Sequence, residues 1–141
     1  MSRLTLIAGA LAAAIVGVGV WWMYAPHGTH MFSPGDKGPM VQVSVPDLSA
    51  AARAGKRVFD ESCASCHGVN AAGSNQGPPL VHKIYEPNHH GDAAFYAAVQ
   101  LGVRAHHWSF GSMPAVEGVS KRDVSLILRY IRDLQKANDI F

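Results

Sequence analysis

The chain has 141 residues, of which 48% are hydrophobic and 16% charged, and a formal net charge of +2. That length holds one modest domain plus a short extra segment. The near-balance of charge gives no electrostatic footprint for nucleic acid, which excludes that class of partner.

Leu4 to Tyr24 is a run of 21 residues without a charge, rich in Ala, Gly, Val, Ile and Leu. As a helix it is about 30 Å long, the thickness of a bilayer's hydrocarbon core. A charged start at Arg3 and an apolar stretch also fit a cleaved secretory signal. The run is longer than a signal core, though, and it ends in bulky Trp21, Trp22, Met23 and Tyr24 where cleavage wants small residues. Aromatic residues there suit the membrane–water boundary. The expectation is an uncleaved anchor over residues 1–25, with residues 4–24 in the lipid bilayer.

Residues 26–46 read as a tether, punctuated by Pro26, Gly28, Pro34, Gly35, Gly38, Pro39 and Pro46. It is short and partly stiff. Val41, Val43 and Val45 alternate with Gln42 and Ser44, which allows a brief extended segment. From Asp47 the pattern turns helical: Asp47 or Ser49 supplies a cap, Ala50 to Ala54 favour helix, and Val58 with Phe59 forms an apolar face. Gly55 lowers helix propensity and marks a place where another helix comes close.

That helix delivers Cys63-Ala64-Ser65-Cys66-His67, a c-type haem attachment sequence. Two cysteines add across two haem vinyl groups and the adjacent histidine is placed to ligate the iron. A thioredoxin-like pair needs a flanking strand-helix-strand pattern, which is missing here. A zinc finger needs two more ligands at short spacing, and His82 with His89 are too far apart. Cys63 and Cys66 are the only cysteines, so no disulfide remains and the haem itself is the staple.

Loops rich in Gly and Pro are predicted over residues 68–91 and 103–119. Between them a helix runs from Asp92 to Leu101, with Phe95, Ala98 and Val99 on one face and Gly102 as its stop. Ser120 and Asp123 form a capping box for the last helix, whose stripe of Val124, Ile127, Leu128, Ile131 and Leu134 reads as core. An iron that only passes electrons needs a sixth ligand, and Met113 in Gly111-Ser112-Met113-Pro114 is the best placed. Met23 falls in the anchor, and Met31 and Met40 fall in the tether.

Three features in order carry a family resemblance: Cys63 to Gly68, then Gly77-Pro78-Pro79-Leu80, then Met113-Pro114 followed by a final helix with Tyr130. Residues from about Asp47 to Ala137 resemble a class I, mono-haem cytochrome c. With the apolar run, the whole is similar to the membrane-anchored cytochromes c of proteobacteria. The resemblance implies an all-α fold around one covalent haem c, occupying a domain over residues 47–141. It implies thioethers at Cys63 and Cys66, proximal His67 and distal Met113 on the iron, and a Pro78 carbonyl accepting from the outer nitrogen of His67. It places Leu80 on the haem face and brings Gly55 and Phe59 to Tyr130 where the first and last helices cross.

The implied function is electron transfer, without catalysis of its own, between membrane-embedded donor and acceptor complexes. The location expected is the inner membrane, single-pass, with the haem domain in the periplasm, where attachment of this type resembles the bacterial process. The alternatives are a permanent haem c subunit of a larger oxidase or reductase, and an enzyme or sensor with an open iron position.

Eight histidines are many for this length. His89-His90, His106-His107 and the His27, His30, Met31 group offer ligands for a second metal such as copper. Adjacent histidines tend to point apart and no i, i+4 pair occurs, so the plainer expectation is loop residues, some reaching haem propionates together with Arg104 and Trp108.

Overall fold

The computed structural model describes residues 38–141. The expected anchor, the first part of the tether and the His27, His30, Met31 group lie outside them. Among the described residues no helix is long and apolar enough to cross a membrane. Among the described residues there are four α-helices, α1 Ala50–Ser62, α2 Ala64–His67, α3 Asp92–Leu101 and α4 Lys121–Ala137, with short 3-10 turns at Val69–Ala71 and Lys83–Tyr85. The one strand-like pairing among these residues is an isolated antiparallel bridge between Val103 and Met113. The domain is all-α.

Ser49, rather than Asp47, caps α1: its Oγ accepts the Ala52 N–H at 3.1 Å. The cap satisfies a donor that the first turn leaves open. On α1 the buried positions are Ala52, Gly55 and Phe59, spaced three and four apart on one face. The capping box of α4 forms in full, with Ser120 Oγ accepting from Asp123 N–H at 3.2 Å and Asp123 Oδ2 accepting from Ser120 N–H at 3.0 Å. Behind it α4 buries Val124, Ile127, Leu128, Tyr130, Ile131, Leu134 and also Gln135.

These two faces meet. A Cβ on Gly55 would overlap the Leu126 carbonyl, so the backbones of α1 and α4 approach where no side chain intervenes. One turn further along α1, the Phe59 ring meets Tyr130 edge-on, with centroids 5.6 Å apart and planes at 60°. Tyr130 is buried, and its hydroxyl donates to Asn70 Oδ1 at 3.1 Å. Burial, reinforced by the Asp60 carboxylate, raises the Tyr130 pKa above the usual phenol range, so it remains a donor. The crossing therefore also fixes the turn that follows His67.

The expected α3 runs from Asp92 to Leu101 and stops at Gly102, whose φ of 74° is accessible to glycine without strain. None of its residues is fully buried, and Phe95, Ala98 and Val99 line a cavity. The end of the tether segment is joined to the domain. Met40 and Val41 N–H groups donate to the Ala72 carbonyl at 3.0 and 3.1 Å, and the Asn138 side chain exchanges bonds of 2.8 and 2.9 Å with the Ser44 backbone. Val43 and Leu48 pack on the core.

Gly55→Ala sets two effects against each other. Alanine favours helix by about 1 kcal/mol, but the Leu126 carbonyl is backbone and has nowhere to swing. Overlap wins, and denaturant unfolding of the haem-loaded protein is expected to show a net loss of about 2–3 kcal/mol. A gain in stability means the helices do not touch at Gly55.

Candidate haem site

Where α1 ends, the chain turns at once into α2, so that Cys63, Cys66 and His67 emerge together beside the crossing. The turn is held from several directions. His67 N–H donates to the Cys63 carbonyl at 2.9 Å, Gly73 N–H to the His67 carbonyl at 2.7 Å, and Ser74 Oγ to the Cys66 carbonyl at 2.6 Å. The His67 ring is set by Pro78: Nδ1 lies 2.9 Å from the Pro78 carbonyl oxygen. A carbonyl only accepts, so Nδ1 carries the proton and Nε2 keeps its lone pair for a metal. Burial lowers the His67 pKa, against the opposing pull of the Pro78 bond, which keeps the ring neutral near pH 7.

Cys63, Cys66, His67, Pro78, Leu80 and Met113 all line one cavity of about 800 Å³. That volume lies within the ~300–1,000 Å³ typical of cofactor pockets. Its walls are mostly apolar, with Phe59 and Ile127 of the crossing behind and Phe95, Ala98 and Val99 of α3 to one side. Burial, followed by the neighbouring Cys66, pushes the Cys63 thiol up to about 11.

Met113 reaches the cavity on a pinned loop. Val103 and Met113 exchange backbone bonds of 2.9 Å in both directions, and Val116 N–H donates to the Val99 carbonyl at 2.9 Å. A Cβ on Gly102 would stand 2.5 Å from the Met113 carbonyl oxygen, so glycine there permits the loop to lie against the end of α3.

A model of the cytochrome c family matches residues 52–135, more than half of the chain. The chain belongs to the cytochrome c family. Among curated proteins, this cytochrome c is 39% identical over 89 residues to the cytochrome bc1 complex cytochrome c subunit of Mycobacterium leprae. It is 41% identical over 83 residues to the subunits of the same name in Mycobacterium bovis and Mycobacterium tuberculosis. These alignments cover 60% and 57% of this chain but 25% and 24% of the relatives, so it spans about a quarter of their length. No solved structure matches it.

A c-type haem fits the donor set: a thiol pair beside a neutral imidazole, a thioether in the same cavity, and apolar walls for a flat macrocycle. One buried atom fits it independently. Trp108 Nε1 is buried without a hydrogen-bond partner, and Tyr85 stands beside it without meeting hydrogen-bond geometry. An unpaired buried donor is costly, whereas haem carries carboxylates that only accept. Arg104 lines the same cavity.

Two residues were missed by sequence reasoning. Arg132 donates to the carbonyls of Tyr85 at 3.0 Å and His90 at 2.7 Å, pairs with Asp92 at 3.0 Å, and lies over the Phe95 ring at 5.0 Å. Gln135, 1% exposed, donates to the carbonyls of Leu80 at 2.9 Å and Tyr85 at 3.0 Å and accepts from Arg132 at 2.6 Å. Together they tie residues 80–92 to α4. The available signal was a glutamine on the apolar stripe, one helical turn beyond Ile131.

The histidines do not point apart. His89 and His90 have ring centroids 4.7 Å apart and His106 and His107 4.2 Å, and the two pairs face each other across adjoining loops. His90, His106 and His107 line the cavity.

Trp108→Phe tests the buried donor. If Nε1 donates to a haem carboxylate, the substitution costs the haem-loaded protein about 1.5–3 kcal/mol of unfolding free energy, the range for a hydrogen bond to a charged group. A neutral or stabilising effect means that the indole N–H has no partner in the loaded protein.

Proposed function

We propose that this cytochrome c transfers single electrons through one covalently held haem c, as the haem-bearing part of a larger membrane redox assembly. The observation that carries the reading is the placement of a neutral, Pro78-oriented His67 and a pinned Met113 in one apolar cavity beside Cys63 and Cys66. With two cysteines in the whole sequence, the chain has thioether partners for one such group. When bound, haem c supplies a one-electron ferric–ferrous couple.

The chain's residues have distinct tasks in this reading. Cys63 and Cys66 would hold the haem through thioethers, so that it is not lost between turnovers. His67 offers Nε2 with its ring plane fixed by the Pro78 carbonyl. The Met113 thioether would be the second protein ligand to the iron, and a thioether ligand would favour the reduced state. With His67 and Met113 both held by the iron, substrates would be kept off the metal and electron transfer would be the chemistry left to it. Phe59, Leu80, Phe95 and Ile127 keep water from the site, while Trp108 and Arg104 would offer donors to the haem carboxylates.

The relatives are subunits of the cytochrome bc1 complex by name, which supports a fixed haem subunit over a free carrier. A membrane-anchored carrier is the second reading, favoured by the chain's own apolar run over residues 4–24. In both readings that run holds the protein in the inner membrane with the haem domain in the periplasm. It raises the effective concentration at neighbouring complexes.

Native membranes solubilised in mild detergent separate the readings. Haem stain at the mass of this chain that comigrates with a quinol-oxidising complex supports the subunit, and a lone haem-positive species supports the carrier. Absence of covalent haem on a denaturing gel sinks both. Axial ligation is tested by carbon monoxide: the reduced wild type should show no spectral change at neutral pH, and Met113→Ala should bind the gas. Binding by the wild type contradicts a filled sixth position.

A further inference from the structure

We propose that His89, His90 and His107 bind one divalent transition-metal ion of the zinc or copper class, at the rim of the haem cavity and separate from the iron ligands. One nitrogen from each ring lies within 4.8 Å of the others. His89 Nε2 and His107 Nε2 are 3.4 Å apart although the residues are 18 positions apart in sequence. Two nitrogens each about 2.05 Å from a tetrahedral metal are separated by about 3.3–3.4 Å. The pair already stands at the spacing that a shared ion imposes.

Local backbone explains why neighbouring imidazoles converge here. The N–H groups of His89 and His90 both donate to the Glu86 carbonyl, at 3.0 and 2.8 Å, which winds the Pro87-Asn88 turn tightly enough to put the two rings on one side. His90 Nδ1 donates to the Ile84 carbonyl at 2.6 Å, leaving Nε2 as the free ligand atom. A carbonyl fixing the outer nitrogen is the arrangement that orients histidines on metals. His106 makes the corresponding bond from Nδ1 to the Arg104 carbonyl at 2.8 Å and stacks on His90, and so walls the site without joining it.

The donor chemistry narrows the ion. Three imidazoles without a carboxylate or thiolate exclude calcium and magnesium, which want oxygen, and suit zinc or copper. His89 and His107 are exposed and His90 half-buried, so a fourth position is open to water. The ion would clamp the turn before α3 to the loop that carries Met113, two segments among the described residues joined by no strand pairing with each other.

The test uses the haem-loaded full chain, stripped with a chelator and titrated calorimetrically with zinc. One equivalent is expected, with an unchanged haem spectrum and a rise in thermal midpoint. His89→Ala and His107→Ala should each weaken binding by about tenfold or more, again without change in the haem spectrum. His106→Ala and the paired His27→Ala and His30→Ala should keep it. Failure of the loaded protein to take up zinc overturns the site, as expected if the rings only hydrogen-bond to each other or serve the haem carboxylates. Uptake that survives both His89→Ala and His107→Ala, or that alters the haem spectrum, overturns it too.

Discussion

The backbone contact between α1 and α4 at Gly55 is the constraint on which the rest of this cytochrome c depends. Because nothing but hydrogen separates Gly55 from the Leu126 carbonyl, the helices lie close enough for Phe59 and Tyr130 to meet edge-on. Tyr130 then reaches Asn70, three residues beyond His67. Covalent connectivity does the remainder: Cys63 follows the last residue of α1, so the position of that helix sets where both thiols and the imidazole emerge. A shift at the crossing would move every proximal group of the site together.

The opposite side of the cavity has no comparable helix contact. It is assembled from loops and from α3, none of whose residues is fully buried. What holds it is a set of polar ties: Arg132 and Gln135 on α4 gripping residues 80–92, and the Val103–Met113 pairing fixing the distal loop. Hydrogen bonds direct geometry but add only about 1 kcal/mol each to stability. The apolar walls must therefore bury themselves against a cofactor, which serves as the missing half of the core. The asymmetry leaves the His67 side backed by helix packing and the Met113 loop held mainly by hydrogen bonds.

Much of this was legible in the sequence because it is local. The Ser120–Asp123 box, the stop at Gly102 and the attachment run from Cys63 to His67 each involve residues a few positions apart, where spacing alone carries the signal. Gly55 was readable as a close approach because a helix tolerates glycine at a cost. The hub at Arg132 and Gln135 was not, since its partners are loop carbonyls 42 to 55 residues distant, and a carbonyl has no sequence signature. The histidine cluster misled for a related reason. Adjacent side chains diverge in an extended strand, but the Glu86 carbonyl bends this backbone into a turn that sequence alone did not reveal.

The proposed electron-transfer role rests on two groups that line one cavity, His67 oriented by the Pro78 carbonyl and Met113 on a pinned loop, and on the iron having both as ligands. Proton NMR of the reduced, haem-loaded protein tests that ligation most directly. A methyl group directly over a haem face experiences the full ring current. The Met113 methyl should therefore give a three-proton signal shifted far upfield of all ordinary methyls, and it should vanish in Met113→Ala. Absence of that signal, with upfield-shifted imidazole ring protons in its place, would contradict the account and assign the distal position to a histidine.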